Sequence, residues 1–201
     1  YVPMNEAEAE KKMLRAVASE IHSFGINENE IKRVLEIFGY EEERAAIEAG
    51  ESSVTLYDGV VKIAEELGFE RIQLHNLGYY VVVLKKPYIC DVSHVREACL
   101  YASAVNAMKA KYGGYVKLES LPEAGDIALS QIGLDQLRIF KAEMEKRGVA
   151  LPENFLEEGI VEFDNHTMLI VPAHVVPNPV STVGMGDTIS SSSFAFEQSK
   201  F

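Results

Sequence analysis

Apolar residues recur at steps of three and four through residues 5–21, at Met13, Leu14, Val17, Ala18 and Ile21, and predict an amphipathic helix. Asn5 is placed to cap it, with Glu8 three positions on completing a capping-box pattern. Phe24-Gly25-Ile26 reads as a short buried strand edge or a turn. Asn27-Glu28-Asn29-Glu30 then opens a second helix with Ile31, Val34, Leu35 and Phe38 on its apolar face and Gly39 as its stop. Two further helices are predicted over residues 41–49 and 56–67, the latter stopped at Gly68. The period then changes from 3.6 to 2. Residues 71–75 alternate, and residues 79–84 form a continuous β-branched and aromatic run, as expected of a strand covered on both faces. Ser93 is placed to cap a long helix reaching about Lys111, closed by Gly113-Gly114. Residues 115–132 carry no clear period. A helix over 133–147, short strands over 160–163 and 168–171 about the turn at Asp164-Asn165, and a last helix from about Gly186 complete the pattern. Helices alternating with strands after residue 50 predict an α/β layered domain, although the all-helical opening leaves the strand series of a complete doubly wound sheet unfilled.

Composition changes this picture little, and charge changes it more. The 201 residues are 47% hydrophobic and 25% charged, an ordinary globular balance, long enough for one substantial core. No apolar run approaches the roughly 20 residues that span a bilayer. The opening Tyr-Val-Pro shows no signal-peptide pattern and no initiator Met, so a cytoplasmic location and a longer parent polypeptide are expected. Thirty-one acidic residues against 19 basic give a formal charge of −12, which disfavours nucleic acid and anionic membrane as partners. A phosphate ligand would therefore require a local positive field made from backbone amides, a divalent cation or a few basic residues. Cys90 and Cys99 lack metal or redox spacing and are expected as buried thiols of a reducing compartment.

The most informative stretch is Ser181-Thr182-Val183-Gly184-Met185-Gly186-Asp187-Thr188, where a Pro-broken loop meets two glycines, an Asp and a helix. Glycines let backbone approach a ligand, and a helix N-terminus presents unpaired N–H groups to an anion. Asp187 read locally has two roles open to it: capping the helix, or acting as a general base beside an anion held by those amides. Asn27 and Glu30 likewise read locally as an N-cap and its N3 partner.

Val-Gly-Met-Gly-Asp-Thr-Ile-Ser-Ser resembles the GxGD signature of the ribokinase-like superfamily. With the flanking Asn178-Pro179-Val180-Ser181-Thr182-Val183 it is similar to archaeal-type ADP-dependent glucokinases and phosphofructokinases. Asn27-Glu28-Asn29-Glu30 resembles that family's Asn-x-x-Glu motif. Residues 71–80, ending in Gly-Tyr-Tyr, and Val95-Arg96-Glu97-Ala98 extend the likeness from about residue 20 to the C-terminus. The resemblance implies a ribokinase-like three-layer αβα large domain, of which residues 1–201 are the C-terminal part, without the lid. It implies transfer of the β-phosphoryl group of ADP, as Mg·ADP, to glucose or fructose 6-phosphate with release of AMP, as in modified glycolysis. Asp187 would be the base and Gly184, Met185 and Gly186 the anion hole. Glu30, with Asn27 nearby, would hold Mg²⁺ through water, and residues 175–180 would wall the adenine, with Asn178, Val180 and Val183 as nucleotide-binding candidates. His75, in a loop at a strand end, is the histidine best placed for function, and a structural hydrogen-bonding role is open to it as well.

The chain departs from the family in lacking its His-x-Glu metal motif: none of the five histidines has Glu two residues on. The N-terminal half of the same enzyme, with the lid and most sugar contacts, is therefore the expected partner, beside ADP or AMP and the sugar. Gly-Tyr-Tyr and the Val-Arg-Glu-Ala helix lean slightly towards glucokinases. An ATP-using member of the superfamily and a non-catalytic nucleotide-binding fragment are the alternatives left open.

Overall fold

A computed structural model describes residues 4–199. Its helices are α1 (Ala7–Ala18), α2 (Glu28–Phe38), α3 (Glu41–Ala49), α4 (Ser53–Leu67), α5 (Val92–Tyr112), α6 (Gln131–Lys146), α7 (Phe155–Glu158) and α8 (Met185–Gln198). The strands are β1 (Ser23–Asn27), β2 (Arg71–Asn76), β3 (Tyr79–Lys85), β4 (Ile160–Glu162) and β5 (His166–Pro172). They form one sheet in the order β1-β2-β3-β5-β4, in which β1 and β2 run parallel and the other neighbours antiparallel. Phe24-Gly25-Ile26 is thus an edge strand, and the unbroken apolar run of β3 lies at the centre.

The sheet separates two cores, which makes the three layers explicit. On one face Ile26, Ile72, Leu74, Val81 and Ile170 pack against Ile31 and Leu35 of α2, Val60 and Ile63 of α4 and Phe140 of α6. On the other, Tyr80, Val82, Leu169 and Val171 meet Val95 and Cys99 of α5 and Ile189 of α8. Each such side chain contributes roughly 1.5–3 kcal/mol of burial. Both cysteines are buried and reduced, and burial pushes the Cys99 thiol up to about 11. Among the described residues no helix is long and apolar enough to cross a membrane.

Several local expectations are corrected. The first helix begins after Glu6 rather than Asn5, with no side-chain cap, and ends at Ala18. Of its predicted face only Leu14 is buried, because the buried Glu10, held by Arg33 at 2.8 Å, occupies the neighbouring inward position. On α2 Ile31, Val34 and Leu35 are buried as expected, but Ile37 rather than Phe38 is the fourth buried residue; Phe38 is half-buried and lies beneath Lys11 and Arg15 of α1, 5.2 and 5.5 Å from its ring centroid. The fourth helix starts three residues early, since Ser52 and Thr55 form a capping box. Asp91, not Ser93, caps α5: its carboxylate accepts the Ser93 N–H at 2.9 Å. The stretch without clear period includes a 3₁₀ segment, Leu118–Asp126.

Candidate active site

The C-terminal end of β1 and the start of α2 share Asn27. Its side-chain oxygen accepts the N–H groups of Asn29 and Glu30 at 2.9 and 2.8 Å, and Glu30 Oε2 accepts the Asn27 N–H at 2.8 Å. The local reading of this motif as a capping box is therefore correct, and it fixes the Glu30 carboxylate at the strand end with one oxygen engaged and the other edge left over. A half-exposed carboxylate of this kind suits Mg²⁺, which retains several waters and takes few protein ligands. Among the described residues no group of three or more His, Cys, Asp and Glu gathers to hold a metal directly.

Asn27 lies opposite His75 in the parallel register of β1 and β2. His75 in turn lies against the glycine loop: a Cβ on Gly186 would stand 2.6 Å from His75 Nε2. The imidazole thus links the Asn27–Glu30 motif to the Gly184–Asp187 motif, 150 residues apart. Burial lowers the His75 pKa from 6.5 to about 4 against an opposing pull from the Asp187 carboxylate, so the ring is neutral near pH 7. Its Nδ1 is buried without a hydrogen-bond partner.

The two glycines are required for different reasons. Gly184, the N-cap of α8, has φ 67°, in the left-handed region. Gly186 is within the first helical turn and is needed for the close approach of His75. No side chain caps α8. Met185 N–H reaches Thr182 O at 3.4 Å, Thr188 N–H makes the first bond to Gly184 O at 3.1 Å, and the amides of Gly186 and Asp187 have no acceptor within the helix. These free donors at the positive end of the macrodipole can hold an anion. The Asp187 carboxylate, exposed in the same turn, has no hydrogen-bond or ion-pair partner among the described residues. It does not cap the helix.

Beside the loop lies a cavity of about 250 Å³ walled by Tyr80, Ala107, Val175, Val176, Met185 and Ile189. Asn106 is 6% exposed and its Oδ1, which faces no partner, is among the buried polar atoms bordering this space, as is His75 Nδ1. Of the expected adenine wall, Val175 and Val176 line the cavity. Asn178, Val180 and Val183 do not: all three are exposed, Val180 and Val183 at 69% and 82%.

One cation bonds directly to the loop, and the sequence pattern did not single it out. Lys109, in the last turn of α5, places Nζ 2.9 Å from Gly184 O and 2.7 Å from Thr188 Oγ1. Its partners lie 75 and 79 residues away, so no local signal marks it; a basic residue near a helix C-terminus is unremarkable in sequence. Behind the loop, α8 is fastened to β2 by the buried pair Arg71–Glu197 at 3.0 Å, with Ser193, Gln73 and Ser23 as further acceptors for the guanidinium.

Residues 2–196 match the family described as the ADP-specific phosphofructokinase/glucokinase conserved region. The chain is similar to the ADP-specific phosphofructokinase of Methanosarcina acetivorans, 33% identical over 180 residues, covering 89% of this chain and 36% of that protein. It is also similar to the ADP-dependent glucose/glucosamine kinase of Pyrococcus abyssi, 34% identical over 194 residues, covering 94% of this chain and 40% of that protein. A solved ADP-dependent kinase in complex with fructose-6-phosphate and ADPβS superposes with a TM-score of 0.89 at 32% identity, over 98% of this chain and 43% of that one. The chain therefore spans well under half the length of these relatives.

Proposed function

Because the chain belongs to the ADP-specific phosphofructokinase/glucokinase family, with its ribokinase-like fold, we propose that it forms the nucleotide side of the active site of an ADP-dependent sugar kinase. The acceptor is a hexose or hexose phosphate, glucose or fructose 6-phosphate, and relatives named for each are about equally similar. The observation that carries this reading is the first turn of α8: free amides of Gly186 and Asp187 beside a carboxylate that has no structural partner.

In the proposed reaction Asp187 accepts the proton of the attacking sugar hydroxyl. The new bond joins that oxygen to the β-phosphorus of ADP, the bond from the β-phosphorus to the oxygen bridging to the α-phosphate breaks, and AMP leaves with that oxygen. Phosphoryl transfer needs positioning and charge neutralisation rather than covalent help from the protein. The 184–187 backbone is suited to the equatorial oxygens of the transferring group. A bound Mg²⁺ would neutralise diphosphate charge, with Glu30 holding its water shell from the β1 end. The cavity walled by Val175 and Val176 has the apolar lining and few polar atoms that a nucleoside takes. The lid, the sugar contacts and the remaining metal contacts would come from the part of the relatives that this chain does not span.

The test is phosphoryl transfer by the full-length enzyme with ADP and with ATP, in wild type and Asp187→Ala. ADP turnover that falls by about 10²–10⁴-fold on substitution, with nucleotide binding retained, is the expected result. Turnover with ATP alone, or a variant close to wild type, would refute it.

A further inference from the structure

We propose that Lys109 is a positioning residue for phosphoryl transfer: it holds the Gly184–Thr188 turn in its anion-binding shape and supplies the positive charge behind it. The proposal rests on the reading of that turn given above. One carbonyl is its centre. Gly184 O accepts the Thr188 N–H at 3.1 Å, the Thr188 hydroxyl at 2.8 Å and the Lys109 ammonium at 2.9 Å. A carbonyl oxygen has two lone pairs, so three donors saturate it and clamp the peptide plane between Gly184 and Met185. That plane sets the direction of the amides that follow it.

The rest of the α5 terminus supports the same loop. Ala110 O accepts the Val180 N–H at 2.7 Å, and Val180 Cγ1 would stand 3.1 Å from a Cβ on Gly113. Residues 109–113 are thus the platform on which residues 180–188 rest, and Lys109 is its only side chain bonded to the turn itself.

The ammonium stands where two helix ends meet: it suits the negative C-terminal end of α5, on which it is carried, and adds to the positive end of α8, at whose first turn it bonds. In a chain of formal charge −12, a cation beneath the turn offsets the repulsion that a diphosphate would otherwise meet. The ammonium does so without entering the site, because two of its three donors are committed to the loop.

In the full-length enzyme, wild type, Lys109→Met and Lys109→Arg are compared by steady-state kinetics and by amide hydrogen exchange over residues 184–188. Methionine, of similar length and uncharged, is expected to lower kcat by about 10- to 100-fold, the scale of a 1 Å misplacement. The KM for the sugar is expected to hold within about twofold, because uniform binding is untouched. Exchange at Thr188, whose N–H is bonded to Gly184 O, should quicken, and arginine should recover much of both effects. Methionine kinetics within about twofold of wild type, unchanged exchange, or arginine no better than methionine would each overturn the proposal. If wild type shows no ADP turnover, the kinase reading fails while the exchange comparison still decides the role of Lys109.

Discussion

At Gly186 the missing methyl group is what allows two distant motifs to touch. Substitution to alanine puts a Cβ 2.6 Å from His75 Nε2 and 3.1 Å from Cε1, so either the imidazole or the turn must shift. Gly186→Ala should destabilise by about 1–3 kcal/mol, seen in chemical denaturation, and should lower kcat as the turn is displaced. His75 carries the second residue-scale prediction. Its pKa is depressed to about 4 from 6.5, so the unfolded chain binds the extra proton between those values. The sign follows directly: this contribution to stability is complete above pH 6.5 and is lost as pH falls towards 4, at no more than about 1.4 kcal/mol per pH unit. His75→Gln should flatten the acid limb of a Tm-versus-pH curve, leaving the smaller part due to His166, which burial also lowers. These roles were partly legible. The GxGD and Asn-x-x-Glu spacings singled out Asp187, Gly184, Gly186, Asn27 and Glu30, and His75 stood out by its place at a strand end; the fold brings His75 beside Asn27 and Gly186. Lys109, Asn106 and Thr188 were not legible, because their meaning is a contact with another segment or an unfilled hydrogen bond in a cavity.

At the scale of elements, the contacts that hold α8 run its whole length, from Lys109 at its first turn through Ile189 in the core under β3 and β5 to Glu197 near its end. The last is the most deeply buried. Arg71 and Glu197 are 1% and 0% exposed, and the guanidinium has five donors shared among Glu197, Ser193, Gln73 and Ser23. The second carboxylate oxygen takes the Tyr88 hydroxyl. Removing one partner strands a buried charge, so Glu197→Ala should cost about 3–5 kcal/mol by denaturant unfolding. A matched double substitution of Arg71 and Glu197 to apolar residues should cost clearly less than the sum of the two singles, the signature of a coupled pair in a double-mutant cycle. No local pattern marks this pair; Arg71 alternates as a strand residue and Glu197 reads as a solvated helix position. Strand and helix identities were otherwise well indicated by period. The boundaries moved where a side chain such as Thr55 or Asp91 captured a backbone amide that the apolar pattern cannot register.

At the scale of the whole molecule, a layered α/β arrangement followed from alternating periods and its three-layer form from the family resemblance, while the sheet order followed from neither. A parallel β1–β2 pair beside antiparallel β2–β3 and β3–β5 depends on which strands can meet after α2, α3 and α4 have packed, and a hydropathy pattern read along one dimension does not contain that. The same arrangement explains how a molecule with a large negative charge can offer an anion site. Acidic side chains are dispersed over helix surfaces, many in exposed pairs with Arg or Lys, while the α8 amides and the Lys109 ammonium come together in the turn that lies against His75.

His75 stands beside Asn27 in the sheet and against Gly186 of the last helix, so the three contributors arise early, midway and late in the chain. Asn27–Glu30 is capped by its own neighbours, but the meeting of the three rests on contacts distant in sequence. A short peptide carrying one of the three segments cannot reproduce this juxtaposition, which is complete only with the last helix docked against β1 and β2.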